Sequence, residues 1–153
     1  MAELTNQFLN ILLVEDDADD SEFFKEALEK LKIPHKVEFA KDCYALFNML
    51  EKEKIYDVIF LDINLPVIDG KECLKQIKQH VKYKDVPVII FTGSSAPNDI
   101  DFVYTHGAHF HVVKPYARIN YVASLKVVLD INWKERQPRP LLENFVVNLT
   151  FNN

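Results

Sequence analysis

The sequence predicts an α/β fold, a doubly wound parallel sheet with helices on both faces, and three observations carry that reading. Short β-branched runs alternate with amphipathic stretches along the chain. The runs are almost continuously apolar, as in Val58-Ile59-Phe60-Leu61, the pattern of strands covered on both sides. Four of them also stop abruptly at polar residues: Glu15 and Asp16 after Val14, Asp62 after Leu61, Thr92 after Phe91, and Lys114 after Val113.

The elements follow as five strand and helix pairs. A first strand near Ile11 to Val14 leads to a helix expected to start at Asp19, where Asp19 and Glu22 have the spacing of a capping box. Phe23, Phe24, Ala27, Leu28 and Leu31 supply its apolar face, and Pro34 closes it. A second strand near Val37 to Ala40 precedes a helix that Asp42 can cap, carrying Ala45, Leu46, Met49 and Leu50. After the third strand, Val58 to Leu61, Gly70 precedes a helix with Cys73, Leu74 and Ile77. The fourth strand, Val88 to Phe91, is followed by a helix opened by Asn98, and the fifth, Phe110 to Val113, by a helix over roughly Asn120 to Trp133. That last helix turns Val122, Leu125, Val128 and Leu129 to one face and leaves Tyr121, Val127 and Ile131 over, more apolar surface than one contact needs.

From Lys134 to Asn153 the pattern changes: Pro138 and Pro140 are followed by Phe145, Val147, Leu149 and Phe151 at alternating positions. Three readings of this tail stand side by side: a disordered end, a strand added to a partner, or packing onto its own domain. It is too short for an output domain.

Composition narrows the function. With 153 residues, 48% hydrophobic and 27% charged, the chain suits one domain with a sizeable core. A net charge of -5 offers no basic stripe for nucleic acid and disfavours anionic membranes. Cys43 and Cys73 form neither a C-x-x-C pair nor a metal-spaced cluster, so reduced thiols with a packing role are expected. Without a signal-peptide start or a run of membrane-spanning length, the expected location is the cytoplasm.

The polar strand ends carry the chemistry. In a doubly wound sheet, sites form outside the carboxyl ends of the strands, where strand order reverses. Glu15, Asp16 and Asp62 would repel one another there unless a cation lay among them, and a hard divalent ion such as Mg2+ takes oxygen ligands. Asp62 could then attack a phosphoryl group while the Thr92 hydroxyl and the Lys114 ammonium neutralise the transferred oxygens. The product would be an aspartyl phosphate.

Leu13-Val14-Glu15-Asp16-Asp17, Asp62-Ile63-Asn64-Leu65-Pro66 with Asp69-Gly70, Thr92-Gly93 and Lys114-Pro115 together resemble the response regulator receiver family, over about residues 9–133. The resemblance implies a flavodoxin-like five-stranded sheet of order 2-1-3-4-5, with residues 134–153 as a tail. It further implies Asp62 as phosphoacceptor, Glu15 and Asp16 as an acidic pocket, Asn64 offering its backbone carbonyl to Mg2+, and Thr92 and Lys114 on the phosphoryl group. In this family the bond matched by Lys114-Pro115 is often cis. His111 matches the position of a switching Tyr or Phe, where an imidazole would add sensitivity to pH. The implied partner is a sensor histidine kinase or a histidine phosphotransfer protein. With no second domain, output would run through the face of helix 4, strand 5 and helix 5, where Phe102, Tyr104, Tyr121 and Val127 are expected to be exposed and a homodimer could form. Asn64-Leu65-Pro66, Thr92-Gly93-Ser94 and a tryptophan closing the last helix are similar to stand-alone receivers that pair with phytochrome-type kinases.

Blander readings compete. Glu15, Asp16 and Asp17 could simply place charge near a helix start, and Asp17, Asp19 and Asp20 are read as caps and solvated acids. His106, His109 and His111 suggest zinc only weakly, because one strand offers alternate residues to a face and no Cys lies nearby in sequence. A phosphatase of the haloacid dehalogenase type would also use an Asp nucleophile, but it usually carries a second Asp two positions on, where this chain has Asn64. A degenerate receiver that never takes phosphate, acting only as an interaction surface, is the third alternative.

Overall fold

The structure, a computed structural model, describes residues 8–52 and 54–149. Phe151, the last residue of the alternating tail pattern, lies outside them. Strands β1 (Leu9–Val14), β2 (His35–Ala40), β3 (Val58–Leu61), β4 (Val88–Thr92) and β5 (Phe110–Val113) alternate with helices α1 (Ala18–Lys30), α2 (Cys43–Leu50), α3 (Gly70–Gln79), α4 (Pro97–Thr105) and α5 (Tyr121–Leu129). The expected order 2-1-3-4-5 is present, but the sheet has six strands, not five. A short parallel β6 (Val146–Val147) is added beyond β5.

Strand alternation splits the core in two. Leu12, Val14, Ile59, Leu61, Val88 and Ile90 face α2, α3 and α4, whereas Ile11, Leu13, Val58, Phe60, Ile89 and Phe91 face α1 and α5. Both faces are thus covered, which is why Ile11 to Val14, Val58 to Leu61 and Val88 to Phe91 read as unbroken apolar runs. β2, at the sheet edge, is only partly buried and carries Lys36 and Glu38, charges that discourage further strand pairing.

Helix starts differ from expectation where side chains compete for one role. Asp17, not Asp19, caps α1, its carboxylate accepting from the Asp20 amide. Asp42 caps α2 as expected, and Asp69 caps α3, which begins at Gly70 itself. α4 starts at Pro97 rather than Asn98, the missing proline N–H being one a helix start leaves unpaired anyway. α5 is shorter than predicted, entered through a 3-10 turn at Arg118–Asn120 and ending at Leu129, so Trp133 lies past its end and donates its indole N–H to Val128 O at 2.8 Å. The Lys114-Pro115 bond is trans. Cys43 and Cys73 are joined as a disulfide with Cα atoms 5.9 Å apart, against the expected free thiols, because α2 and α3 share one face of the sheet.

Of the three readings of the tail, packing onto its own domain is the one observed. Arg139 donates from Nε to Ala108 O at 2.9 Å and lays its guanidinium over the Tyr104 ring, and the Tyr104 hydroxyl donates to Pro140 O at 3.2 Å. Phe145 is fully buried, edge-on to Tyr104 with ring centroids 4.8 Å apart. Val146 and Val147 then pair with His111 and Val112. The face expected to be open is therefore partly covered: Tyr104 lies under the tail and Tyr121 is buried, while Val127 remains exposed. No helix among the described residues is long and apolar enough to cross a membrane.

Candidate phosphoacceptor site

Strand register delivers the side chains. Val14 pairs with Leu61, Leu61 with Ile90, and Thr92 with Val113, so the residues just beyond these positions emerge at one sheet edge. Backbone bonds continue past the strands: Asp62 N donates to Val14 O at 3.1 Å and Lys114 N to Thr92 O at 2.7 Å. Asp62 is 6% and Glu15 5% exposed, so both carboxylates are held nearly out of water.

The Lys114 ammonium is the hub. Its Nζ lies 2.5 Å from Glu15 Oε1, 3.0 Å from Asp20 Oδ2 and 3.1 Å from Asp62 Oδ2. Burial alone would depress the Lys114 pKa, but Asp62 and Glu15 outweigh it and the group is held firmly charged. Glu15 moves the other way from a normal carboxylate, pushed up to about 7 by burial even though Lys114 pulls it down. A buried acid this close to ionisation balance, with a second carboxylate beside it, suits a place where a cation comes and goes.

Glu15, Asp16 and Asp62 can each offer an oxygen such that all lie within 4.8 Å of one another. Three hard oxygen donors match a divalent cation of the Mg2+ or Mn2+ kind rather than a soft metal. Asp16 is exposed at the mouth, in a shallow cleft also lined by Asn64, Asp69, Lys71 and Asp99. The Asn64 amide donates to Asp62 Oδ1 at 3.1 Å, fixing the direction of that carboxylate. Thr92 is fully buried at the end of β4, and its hydroxyl oxygen is 3.5 Å from the Ser94 amide.

His111 is joined to this region indirectly. Its Nε2 meets Ser94 O at 2.9 Å, and the Ser94 hydroxyl donates to Asp99 Oδ2 at 2.6 Å, which also accepts from Lys71 on its other oxygen at 3.0 Å. Burial lowers the His111 pKa, so the imidazole is neutral at neutral pH and the expected pH sensitivity is shifted to more acidic conditions. The three histidines do not converge as a zinc site. His106 engages Phe102 O at 2.8 Å and His109 meets Gln137 O at 3.3 Å, each committed to a different carbonyl.

Sequence reasoning missed three participants. Asp20, read as a solvated acid, accepts from Lys114 and from the Tyr121 hydroxyl, the latter at 2.9 Å. Tyr121, read as surplus apolar surface, is thereby part of the site. Gly70, read as preceding a helix, is where α3 touches the Asp62 backbone: a Cβ there would lie 2.0 Å from the Asp62 carbonyl oxygen. Only the last had a signal, glycine directly after an Asp cap.

Comparison with known proteins agrees with this geometry. Residues 11–126 match the family described as the response regulator receiver domain. The response regulator Rcp1 of Synechocystis sp. is 32% identical over 120 residues, covering 74% of this chain and 82% of Rcp1. Among solved structures, the phosphorylated cyanobacterial phytochrome response regulator RcpA superposes with a TM-score of 0.77 at 27% identity, covering 88% of this chain and all of that one. The receiver domain of the sensor histidine kinase PA1611 from Pseudomonas aeruginosa, solved with a magnesium ion in its active-site cleft, gives a TM-score of 0.69 at 26% identity, covering 84% of this chain and 100% of that chain.

Proposed function

The chain belongs to the response regulator receiver family, a module of two-component signalling, and from that premise we propose that Asp62 is its phosphoacceptor. Receiver domains are signalling domains rather than catalysts of a metabolic reaction, so the output here is a change in protein contacts. The donor in this proposal is a phosphohistidine on a sensor kinase, of phytochrome type by the likeness to RcpA, or on a histidine phosphotransfer protein. In this proposal such donors are charged from ATP and the reaction takes place in the cytoplasm.

An Asp62 carboxylate oxygen bonds to phosphorus as the donor's P–N bond breaks, and the imidazole nitrogen keeps the electron pair. Lys114 pairs with one transferred oxygen and the Thr92 hydroxyl donates to another. Glu15, Asp16, Asp62 and the Asn64 backbone carbonyl would hold Mg2+, which when bound supplies positive charge to the phosphoryl oxygens. His111, tied to Ser94 two residues beyond Thr92, is the switch side chain: movement of the Thr92 segment reaches β5 through that bond. The single observation that carries the reading is the convergence of Lys114 on Glu15 and Asp62 at a receiver family's strand ends. Asn64 stands where a haloacid-dehalogenase-type phosphatase usually carries its second Asp, which favours a phosphoacceptor over that enzyme.

Incubation with a phosphorylated histidine donor and Mg2+ should add one phosphoryl group to the intact mass, and a chelator should stop it. Asp62→Asn should abolish the addition. Persistence of the modification in that variant would remove Asp62 from its role.

A homodimer through α4, β5 and α5 remains part of the proposal, now with the tail in place. Its apolar surface would include Val127, Leu141 and Leu142, all exposed. Sedimentation velocity at high concentration should show a shift toward dimer on adding phosphoramidate and Mg2+; monomer under both conditions counts against it.

A further inference from the structure

The Lys114 ammonium has three N–H bonds, and three carboxylates receive them: Glu15, Asp20 and Asp62. Two of those, Glu15 and Asp62, belong to the oxygen cluster with Asp16, and Asp62 is also the atom donor of the new bond. Asp20 stands outside that cluster. It is therefore the partner Lys114 can keep while the others are engaged elsewhere.

Asp20 is itself held. One oxygen takes the Lys114 ammonium at 3.0 Å and the other accepts the Tyr121 hydroxyl at 2.9 Å. Tyr121 is 5% exposed and wedged edge-on against Phe91, with ring centroids 5.3 Å apart, so its hydroxyl has little freedom. Phe91 in turn lies beneath the ammonium, 5.6 Å from Nζ to the ring centroid. The chain from Phe91 to Tyr121 to Asp20 to Lys114 thus fixes the end of a side chain that would otherwise be long and rotamer-rich.

We propose that Asp20, oriented by Tyr121, is a positioning residue for phosphoryl transfer: it holds Lys114 beside Asp62 so that the cation is already in place when the phosphoryl group arrives. This rests on the reading of Asp62 as phosphoacceptor. Lys114 then leaves Asp62 Oδ2 for a transferred oxygen without leaving Asp20. The incoming group carries more negative charge than the part-exposed Asp20 carboxylate, so Asp20 restrains the cation without outcompeting the phosphoryl oxygens.

The test uses the full chain with phosphoramidate and saturating Mg2+, following intact mass against time at several donor concentrations. Phosphorus bonds to Asp62 as the P–N bond of phosphoramidate breaks, and the nitrogen leaves as ammonia with a proton from solvent. Asp20→Asn should lower the maximal rate about tenfold, with the half-saturating donor concentration unchanged. Tyr121→Phe, which keeps the ring and the packing, should lower it in the same direction by a smaller factor, and Asp20→Glu should recover part of the loss. In a Lys114→Ala background, Asp20→Asn should have no further effect. An unaltered rate in Asp20→Asn, or the same tenfold loss without Lys114, would overturn the inference alone. Failure of the unaltered chain to take up phosphoryl at Asp62 would overturn the phosphoacceptor reading, and this inference with it.

Discussion

Gly70→Ala is expected to destabilise the protein by about 3 kcal/mol or more and to slow phosphorylation of Asp62, although alanine is the better helix former. Helix propensity favours alanine by about 1 kcal/mol at an interior position. Against that, the new Cβ would lie 2.0 Å from Asp62 O and 2.6 Å from Ile63 Cα, both backbone atoms that no rotamer change can move. The Gly70 amide also donates to Ile63 O at 2.7 Å, so sliding α3 away would break the bond that fixes the Asp62 loop. The clash wins, and relief can come only by shifting the segment that carries Asp62. Urea denaturation with and without the substitution, alongside a phosphorylation time course, reads both effects. Equal or greater stability in the variant would show that α3 and the Asp62 segment are not in this contact.

Lys114→Ala should weaken the metal-free protein by about 3 kcal/mol at neutral pH, because removing one partner leaves buried carboxylates uncompensated. The loss has a pH signature. Glu15 is pushed up to about 7 in the folded chain against an ordinary value of 4.5, so it costs no stability below about 4.5, progressively more between there and about 7, and a constant amount above. Without Lys114 the folded value climbs further, so this contribution is the same in variant and unaltered protein in acid and separates them as pH rises through about 7 and above. Divalent cations should reverse the trend: with the competing ammonium gone, Glu15, Asp16 and Asp62 bind Mg2+ more tightly, and added Mg2+ should restore more stability to the variant than to the unaltered chain. Thermal unfolding across pH, with and without Mg2+, checks this. A deficit that is constant with pH and insensitive to Mg2+ would place the lysine outside the charge cluster.

Much of the site was legible because a parallel sheet buried on both faces makes apolar runs, and a run that stops at an acid or a lysine marks the strand's carboxyl end. Asp62, Glu15, Thr92 and Lys114 announced themselves that way. The Asp20–Tyr121 hydrogen bond did not, since it spans 101 residues and joins two helices whose relative placement no local pattern contains. Cys43 and Cys73 show the same limit: each reads as a small core residue on its own helix, and only the shared sheet face brings the sulfurs together. At α1 the competition between Asp17 and Asp19 was local but undecidable from spacing, as both have an amide three residues on; the backbone settled it by leaving Asp17 extended and Asp19 helical. The tail's alternation admitted a strand as one of three readings, and then only on a partner, because nothing local says which sheet it would join.

That sheet is its own, which changes what β5 can offer to other molecules. A segment tethered to the same chain behaves as a competitor at an effective concentration of roughly millimolar, whatever the protein's dilution. Any foreign strand seeking to pair with His111 and Val112 must first outbid Val146 and Val147, and must find a substitute for Phe145 in its buried seat. Ligands of ordinary affinity for that border are thereby screened out.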